Sequence, residues 1–277
     1  MPTRLDLARA VAVVTGAAGG IGRAVALELA ARGAALALAD RDTEGLAETV
    51  RRAQLLGPVV TAHALDVTEG AATGGFRDAV LAAHGRVSVL VNNAGAGLAG
   101  RFEETSEEEF RWQMEVNLFS VVALTRAFLP ALRAEPAAQL VNVSSLFGLI
   151  GPAEQVAYAT SKFAVRGFSE ALRHELGGTG VGVTVVHPGG VRTRIAAAAR
   201  VAAGADRARV AAMQAAFSQR ALRMPPAAAA RRIVRGIARR ERRVLVGADA
   251  RLADLVQRLA PGAYWAAMRP VFARITR

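Results

Sequence analysis

Short apolar runs recur along the chain at residues 10–15, 35–39, 59–65, 87–91, 139–143, 182–187 and 243–246. Most are continuously hydrophobic rather than alternating. That is the pattern of parallel strands covered on both faces, because every side chain of such a strand enters a core. Between them, residues 22–32, 43–56, 75–84, 106–132, 156–176 and 226–238 place apolar side chains at helical spacing. These predict the crossover helices of an α/β chain, a doubly wound parallel sheet of about seven strands with helices on both faces. A sheet of this kind binds its ligand outside the carboxyl ends of the strands, where strand order switches. The polar residues that close the strands are therefore the ones to inspect.

At 277 residues, with no Ser/Gly linker, like-charge block or fixed-period repeat, the chain reads as one domain. Ala runs such as 227–230 bias its composition without dividing it. Cysteine is absent, which excludes disulfides, thiolate metal sites and a cysteine nucleophile. His63, His84 and His174 show no ligand spacing, so no metal is expected. The net charge of +12 and the crowding of Arg231, Arg232, Arg235, Arg239, Arg240, Arg242 and Arg243 would suit a nucleic acid. Against that reading, the other arginines are scattered, no nucleic-acid-binding signature accompanies them, and aromatics are 5% of residues. The expectation is no nucleic-acid partner. Arg4 and Arg9 before the apolar run 11–18 loosely imitate a signal peptide, but that run is short and flows into a glycine loop. No uninterrupted apolar segment approaches the roughly 18 residues that span a bilayer. A cytoplasmic protein that does not cross a membrane is the expectation.

The first strand runs into Thr15-Gly16-Ala17-Ala18-Gly19-Gly20-Ile21-Gly22 and then a helix. Glycines there let the backbone turn tightly and approach a pyrophosphate, whose charge the helix N-terminus favours. Asp40 closes the second strand, where a carboxylate accepts hydrogen bonds from the adenosine ribose and repels a 2′-phosphate. That favours NAD(H), while Arg41 beside it leaves NADP(H) open. Asp66 in Leu65-Asp66-Val67 ends the third strand, and Asn92-Asn93-Ala94-Gly95 ends the fourth. Four successive strand ends thus carry polar or glycine-rich turns, the mark of a Rossmann-type fold.

With these motifs in place, the stretch from about Leu7 to Gly247 resembles the classical short-chain dehydrogenases/reductases. Thr15-Gly16-x-x-x-Gly20-x-Gly22 is similar to the family's cofactor loop, Asn92-Asn93-Ala94-Gly95 to its sheet-stabilising turn, and Tyr158-Ala159-Thr160-Ser161-Lys162 to its Tyr-x-x-x-Lys centre. The resemblance implies a catalytic set of Asn117, Ser145, Tyr158 and Lys162, with Ser145 chosen over Ser144 because it lies 13 residues before Tyr158. It also implies cofactor contacts at Gly16, Gly20, Ile21, Gly22, Asp40, Arg41, Asp66, Val67, Asn93, Ala94, Gly95, Tyr158, Lys162, Pro188, Gly189, Val191 and Thr193. Homo-oligomers are implied as well.

The chemistry is sensible without the family name. A carbonyl that accepts hydride needs a proton donor, and a cation one turn away from a phenol at i+4 would lower its pKa of about 10. Lys162 is the one lysine among 35 basic residues, and Tyr158 is one of two tyrosines. A compact ammonium can also bond ribose hydroxyls where a forked guanidinium would be bulkier. Ser145 would orient the substrate oxygen and Asn117 would hold a water in a proton path to Lys162. His187, before the Pro188-Gly189 turn, reads as a strand-end packing residue.

The family domain is expected to span residues 1–249, with residues 194–224 as a substrate lid rich in Ala, Met213, Phe217 and Met224. Leu98, Leu146, Phe147 and Leu149 add apolar character near the site. An apolar ketone or secondary alcohol is the expected substrate, with a 3-oxoacyl thioester next and a non-catalytic NAD(P)-sensing protein as the alternative of another class. Residues 250–277 read as two amphipathic helices broken at Pro261-Gly262, packing on the domain or a partner subunit. Their arginines and the Tyr264-Trp265 pair would also suit peripheral membrane contact.

Overall fold

A computed structural model of the chain describes residues 4–276, and among these seven parallel strands form one sheet. In chain order the strands are β1 (Val11–Thr15), β2 (Ala35–Asp40), β3 (Val60–Ala64), β4 (Val89–Asn92), β5 (Leu98–Ala99), β6 (Ala138–Val143), β7 (Val181–Pro188), β8 (Arg200–Val201) and β9 (Arg243–Val246). The two-residue strands β5 and β8 pair only with each other, and the large sheet has the order β3-β2-β1-β4-β6-β7-β9. The chain winds outward from β1 in one direction and from β4 in the other. The switch point between β1 and β4 is where such a sheet opens a crevice.

The helices are α1 (Gly20–Ala30), α2 (Thr43–Gln54), α3 (Ala72–His84), α4 (Glu107–Met114), α5 (Ser120–Arg133), α6 (Val156–Glu175), α7 (Arg207–Arg220), α8 (Pro226–Ala238), α9 (Ala248–Leu259) and α10 (Tyr264–Thr276). Two separate cores explain why the central strands β1, β2 and β4 are apolar almost throughout. In β1, Ala12 and Val14 enter the core under α1, α2 and α8, whereas Val13 enters the one under α3, α5 and α6. Successive strand residues point to opposite faces, so a strand covered on both sides has no solvated face on which to alternate. The second core centres on Phe128, fully buried and edge-on to Phe76 at 5.5 Å. Truncating such a side chain to Ala costs about 3–5 kcal/mol.

The helix predicted over 106–132 is continuous but not uniform. Ser106 and Glu109 form a reciprocal capping box at its start. Residues Glu115–Phe119 then widen into a single π turn before α5. By length and composition alone the continuous helix Glu107–Arg133 could cross a membrane. In this fold its residues Leu124, Phe128 and Leu132 are buried in the second core, which accounts for its apolar stripe. Three of the clustered arginines are structural. Arg232 pairs with Glu241, Arg243 with Asp254, and Arg240 donates to the carbonyls of Ala138 and Gly180. They therefore do not form a free basic surface.

Residues 194–224 contain β8 and α7. Arg209 at the start of α7 holds this segment down through Glu104 at 2.7 Å and through Glu154. The tail forms α9 and α10, and α10 lies on α7 and α9.

Candidate active site

Thr15 organises the carboxyl end of β1. Its buried hydroxyl oxygen accepts from the backbone N–H groups of Asn93 and Ala94, each at 3.1 Å, and so ties the glycine loop to the turn after β4. Asn93 answers by donating its side-chain amide to the Thr15 carbonyl at 2.9 Å and the Gly16 carbonyl at 3.2 Å. The loop between them needs its glycines. Gly16 and Gly20 have φ of 66° and 53°, and a Cβ on Gly22 would run into the Gly16 carbonyl oxygen. Ile21 lies in the first turn of α1 beside the loop.

Asp40 does more than close β2. Its carboxylate accepts from the Ala18 N–H at 2.8 Å and the Asp42 N–H at 3.0 Å, so it also fixes the shape of the glycine loop. Arg41 projects into solvent and leans toward Asp66 at 3.8 Å. The backbone N–H and then the hydroxyl of Thr68 hold the Asp66 carboxyl below its usual range, with Arg41 assisting. Val67 follows on the cavity wall.

Asn117, Ser145, Tyr158 and Lys162 come together from three elements. Tyr158 and Lys162 lie in the first two turns of α6, Ser145 lies two residues past the end of β6, and Asn117 sits within the π turn. The Ser145 hydroxyl lies beside the Tyr158 phenol, near enough to favour its ionised form. Ser144, in contrast, is spent on the fold, since its hydroxyl donates to the Lys162 carbonyl at 2.8 Å. Asn117 is fully buried, donates to the Ala96 carbonyl and the Ser161 hydroxyl, each at 3.0 Å, and accepts from the Ala96 N–H at 2.9 Å. Its amide donors are therefore both committed to protein groups. Gly95 lies against this pair, with a Cβ there falling 3.0 Å from Asn117 Oδ1 and 3.3 Å from Lys162 Nζ.

The electrostatics depart from the expectation that Lys162 lowers the phenol. Burial raises the Tyr158 pKa, and only the Ser145 hydroxyl works against it. The reason is geometric. Lys162 Nζ donates to the Val143 carbonyl at 3.1 Å and stands over the Tyr158 ring, 5.8 Å from its centroid. Burial also brings Lys162 itself down to about 8.

His187 packs at the end of β7 as expected, and it has a second task. Burial lowers its pKa to about 4, so the imidazole is neutral, and Nδ1 lies 2.9 Å from the Ser145 carbonyl, which can only accept. His187 thus anchors the backbone of Ser145. After it, Pro188 ends β7 and the turn Gly189-Gly190 is held by Asp249, whose carboxylate accepts from the Gly190 N–H at 2.6 Å. A Cβ on either glycine would strike Asp249 or the Ala221 carbonyl oxygen. Val191 is buried and bridges to Met224, while the Thr193 methyl packs over Gly20. Asp249 was not legible beforehand, because a lone Asp opening a helix reads as an ordinary first-turn carboxylate.

All these strand ends line one cavity of about 1270 Å³. It runs from Gly16–Ile21 past Asp40, Asp66 and Gly95 to Tyr158 and Thr193, and continues under α7 and α10. The glycine loop, the carboxylate of Asp40 at the end of β2 and the half-buried Tyr158 with buried Lys162 at the far end fit an extended dinucleotide. Of the expected apolar neighbours, Leu98, Leu146 and Phe147 line the cavity, whereas Leu149 is buried away from it in the core. Trp112, stacked against the Arg200 guanidinium at 3.7 Å, joins the wall without a preceding sequence signal.

Comparison with known proteins agrees with this geometry. The family model for short chain dehydrogenases matches residues 10–203. The chain is 44% identical over 256 residues, 92% of both chains, to a Mycobacterium tuberculosis protein provisionally named oxidoreductase SadH. A short chain dehydrogenase/reductase from Burkholderia phymatum, solved in complex with NAD, superposes with a TM-score of 0.84 at 33% identity, covering 93% of this chain and 95% of that one. An alcohol dehydrogenase from Thermococcus sibiricus, complexed with 5-hydroxy-NADP, gives a TM-score of 0.73 at 29% identity over 86% of this chain and 95% of that one. The chain accordingly belongs to the short-chain dehydrogenases/reductases and is an oxidoreductase that works with a nicotinamide cofactor.

Proposed function

We propose that the protein interconverts an apolar ketone and its secondary alcohol, with Tyr158 as the acid/base. The juxtaposition of the Ser145 and Tyr158 hydroxyls on the wall of one cavity carries this reading. When bound, the nicotinamide supplies or takes up the hydride. Tyr158 donates its phenolic proton to the carbonyl oxygen as charge builds there, and takes it back in the reverse direction. Its raised pKa keeps that proton in place through neutral pH. Ser145 orients the same oxygen, with its own backbone fixed by His187. Lys162 holds the ribose side and places a buried cation behind the phenol. The side chain of Asn117 is committed to Ala96 and Ser161, so the water of the proton path falls to a main-chain carbonyl, which a π turn frees from its usual helical partner.

A turnover screen of ketones and alcohols with both cofactors tests the reading. Tyr158→Phe is expected to lose at least about a hundredfold in kcat while cofactor affinity persists. Full turnover in that variant would overturn it.

NAD(H) is the proposed cofactor, supported by Asp40 at the end of β2 and by Arg41 leaning toward Asp66 instead of toward Asp40. Asp40→Ala should narrow the preference for NADH over NADPH, and an unchanged ratio would remove Asp40 from that role. Arg220 and Arg223 at the cavity wall favour a second reading, a 3-oxoacyl thioester on an anionic carrier. Self-association is proposed as well, supported by exposed Phe119 and Phe163 on neighbouring elements, and sedimentation equilibrium measures it directly.

A further inference from the structure

The helix α10 carries Met268, Val271, Phe272 and Ile275 at i, i+3, i+4 and i+7, one stripe, and all four line the cavity. The stripe is pinned at both ends. At the start of α10 the Tyr264 hydroxyl oxygen accepts from the Gly151 N–H at 3.1 Å, and near its end the Arg274 carbonyl accepts from Arg220 of α7 at 2.9 Å. Between these anchors the helix rises about 15 Å at 1.5 Å per residue. Phe147 joins the stripe to the chemistry, with its ring edge-on to Tyr158 at 6.0 Å and its centroid 5.9 Å from Phe272 and 6.4 Å from Phe217.

A stripe that served only as core would be closed by partners, because protein interiors pack to the density of organic crystals. Here it borders open space, and Val271 on α10 and Leu252 on α9 stay 52% and 60% exposed at its outer part. The cavity of about 1270 Å³ also exceeds the roughly 300–1,000 Å³ typical of a site for one small molecule. We infer that α10, with Phe217 of α7 and Leu252 of α9, forms a channel for the aliphatic chain of the substrate, so that the substrate class is a long-chain alkyl ketone or secondary alcohol. The inference rests on the reading of Tyr158 as the acid/base, which fixes the end of the channel where the oxygen sits.

The test is a series of 2-alkanones from butan-2-one to decan-2-one, with kcat/KM measured for the wild type, Val271→Asp and Leu259→Asp. Each methylene that enters the channel should raise kcat/KM about fourfold. Decan-2-one exceeds butan-2-one by six methylenes, so the ratio in the wild type should exceed a hundredfold, which needs little more than about three of them to enter at that increment. Val271→Asp places a carboxylate in the wall and should cut that ratio at least tenfold. Leu259→Asp puts the same charge on a 77% exposed position outside the cavity and should preserve the ratio. Titration calorimetry of decan-2-one gives a second readout that needs no turnover, with binding expected in the wild type and at least tenfold weaker in Val271→Asp. A flat chain-length series, an intact ratio in Val271→Asp, or decan-2-one binding that this variant does not weaken would overturn the channel. Retained turnover in Tyr158→Phe would overturn the acid/base reading alone and leave the chain-length result standing.

Discussion

Replacing Lys162 by Met should make the protein more stable at neutral pH while removing its activity. Lys162 is buried and its pKa falls from 10.5 to about 8 because burial disfavours the ammonium. The folded state therefore gives up this proton at lower pH than the unfolded state does. Between about pH 8 and 10.5 the unfolded chain binds more protons, so stability rises with pH there, and below pH 8 the full cost of the buried charge remains. A shift of this size costs about 3 kcal/mol at pH 7. Met fills the same space but loses the hydrogen bond to the Val143 carbonyl at 3.1 Å, worth about 1 kcal/mol. Lys162→Met should then be about 2 kcal/mol more stable at pH 7, and roughly 2 kcal/mol of that gap should close by pH 9.5 as the wild-type ammonium deprotonates. Urea unfolding of both proteins, stripped of nucleotide, at several pH values reads the gap directly. Because no other lysine exists in the chain, the difference between the two curves isolates this group. A variant less stable than the wild type at pH 7, or a gap that does not change with pH, would refute the buried-cation account.

Thr15→Val keeps the shape of the side chain but leaves the N–H groups of Asn93 and Ala94 without their acceptor. It should lower unfolding stability by about 2–3 kcal/mol and weaken NADH binding in calorimetry, and a loss under about 1 kcal/mol would mean that water substitutes for the hydroxyl. Arg209→Gln removes both ion pairs that hold α7 to Glu104 and Glu154. It should raise KM several-fold with little change in kcat and speed proteolysis within residues 194–224, whereas unchanged proteolysis would show that the segment is held elsewhere.

The sheet and the candidate reacting groups were legible in the sequence for a physical reason. Strands covered on both faces are apolar at most positions, so their runs stand out without any knowledge of partners. The Tyr158–Lys162 pair lies on one helix, where a spacing of four already implies proximity. What the sequence hid are contacts between distant segments. Asp40 pins the Ala18 N–H, His187 anchors the Ser145 carbonyl, and Asp249 holds the Gly189-Gly190 turn from a helix 59 residues further on. Each of these residues has an ordinary local reading, and only the fold supplies the second partner. The two-residue strands β5 and β8 escaped for a related reason, since a pair so short carries no periodicity.

The electrostatics of the centre show why proximity on a helix is not enough to state a mechanism. An i+4 cation lowers a phenol only if its charge reaches the oxygen, and here the ammonium is drawn to the Val143 carbonyl over the ring. Burial consequently governs both groups and moves them apart, Tyr158 upward and Lys162 downward. A raised phenol keeps its proton through neutral pH but is a weaker acid, and its phenolate, though a stronger base, is scarcer. The reverse reaction needs the phenolate, which a positive charge near the hydroxyl would favour. If Tyr158 is the acid/base proposed above, the direction of proton transfer there depends on what else occupies the cavity, and not on the Tyr-x-x-x-Lys spacing alone.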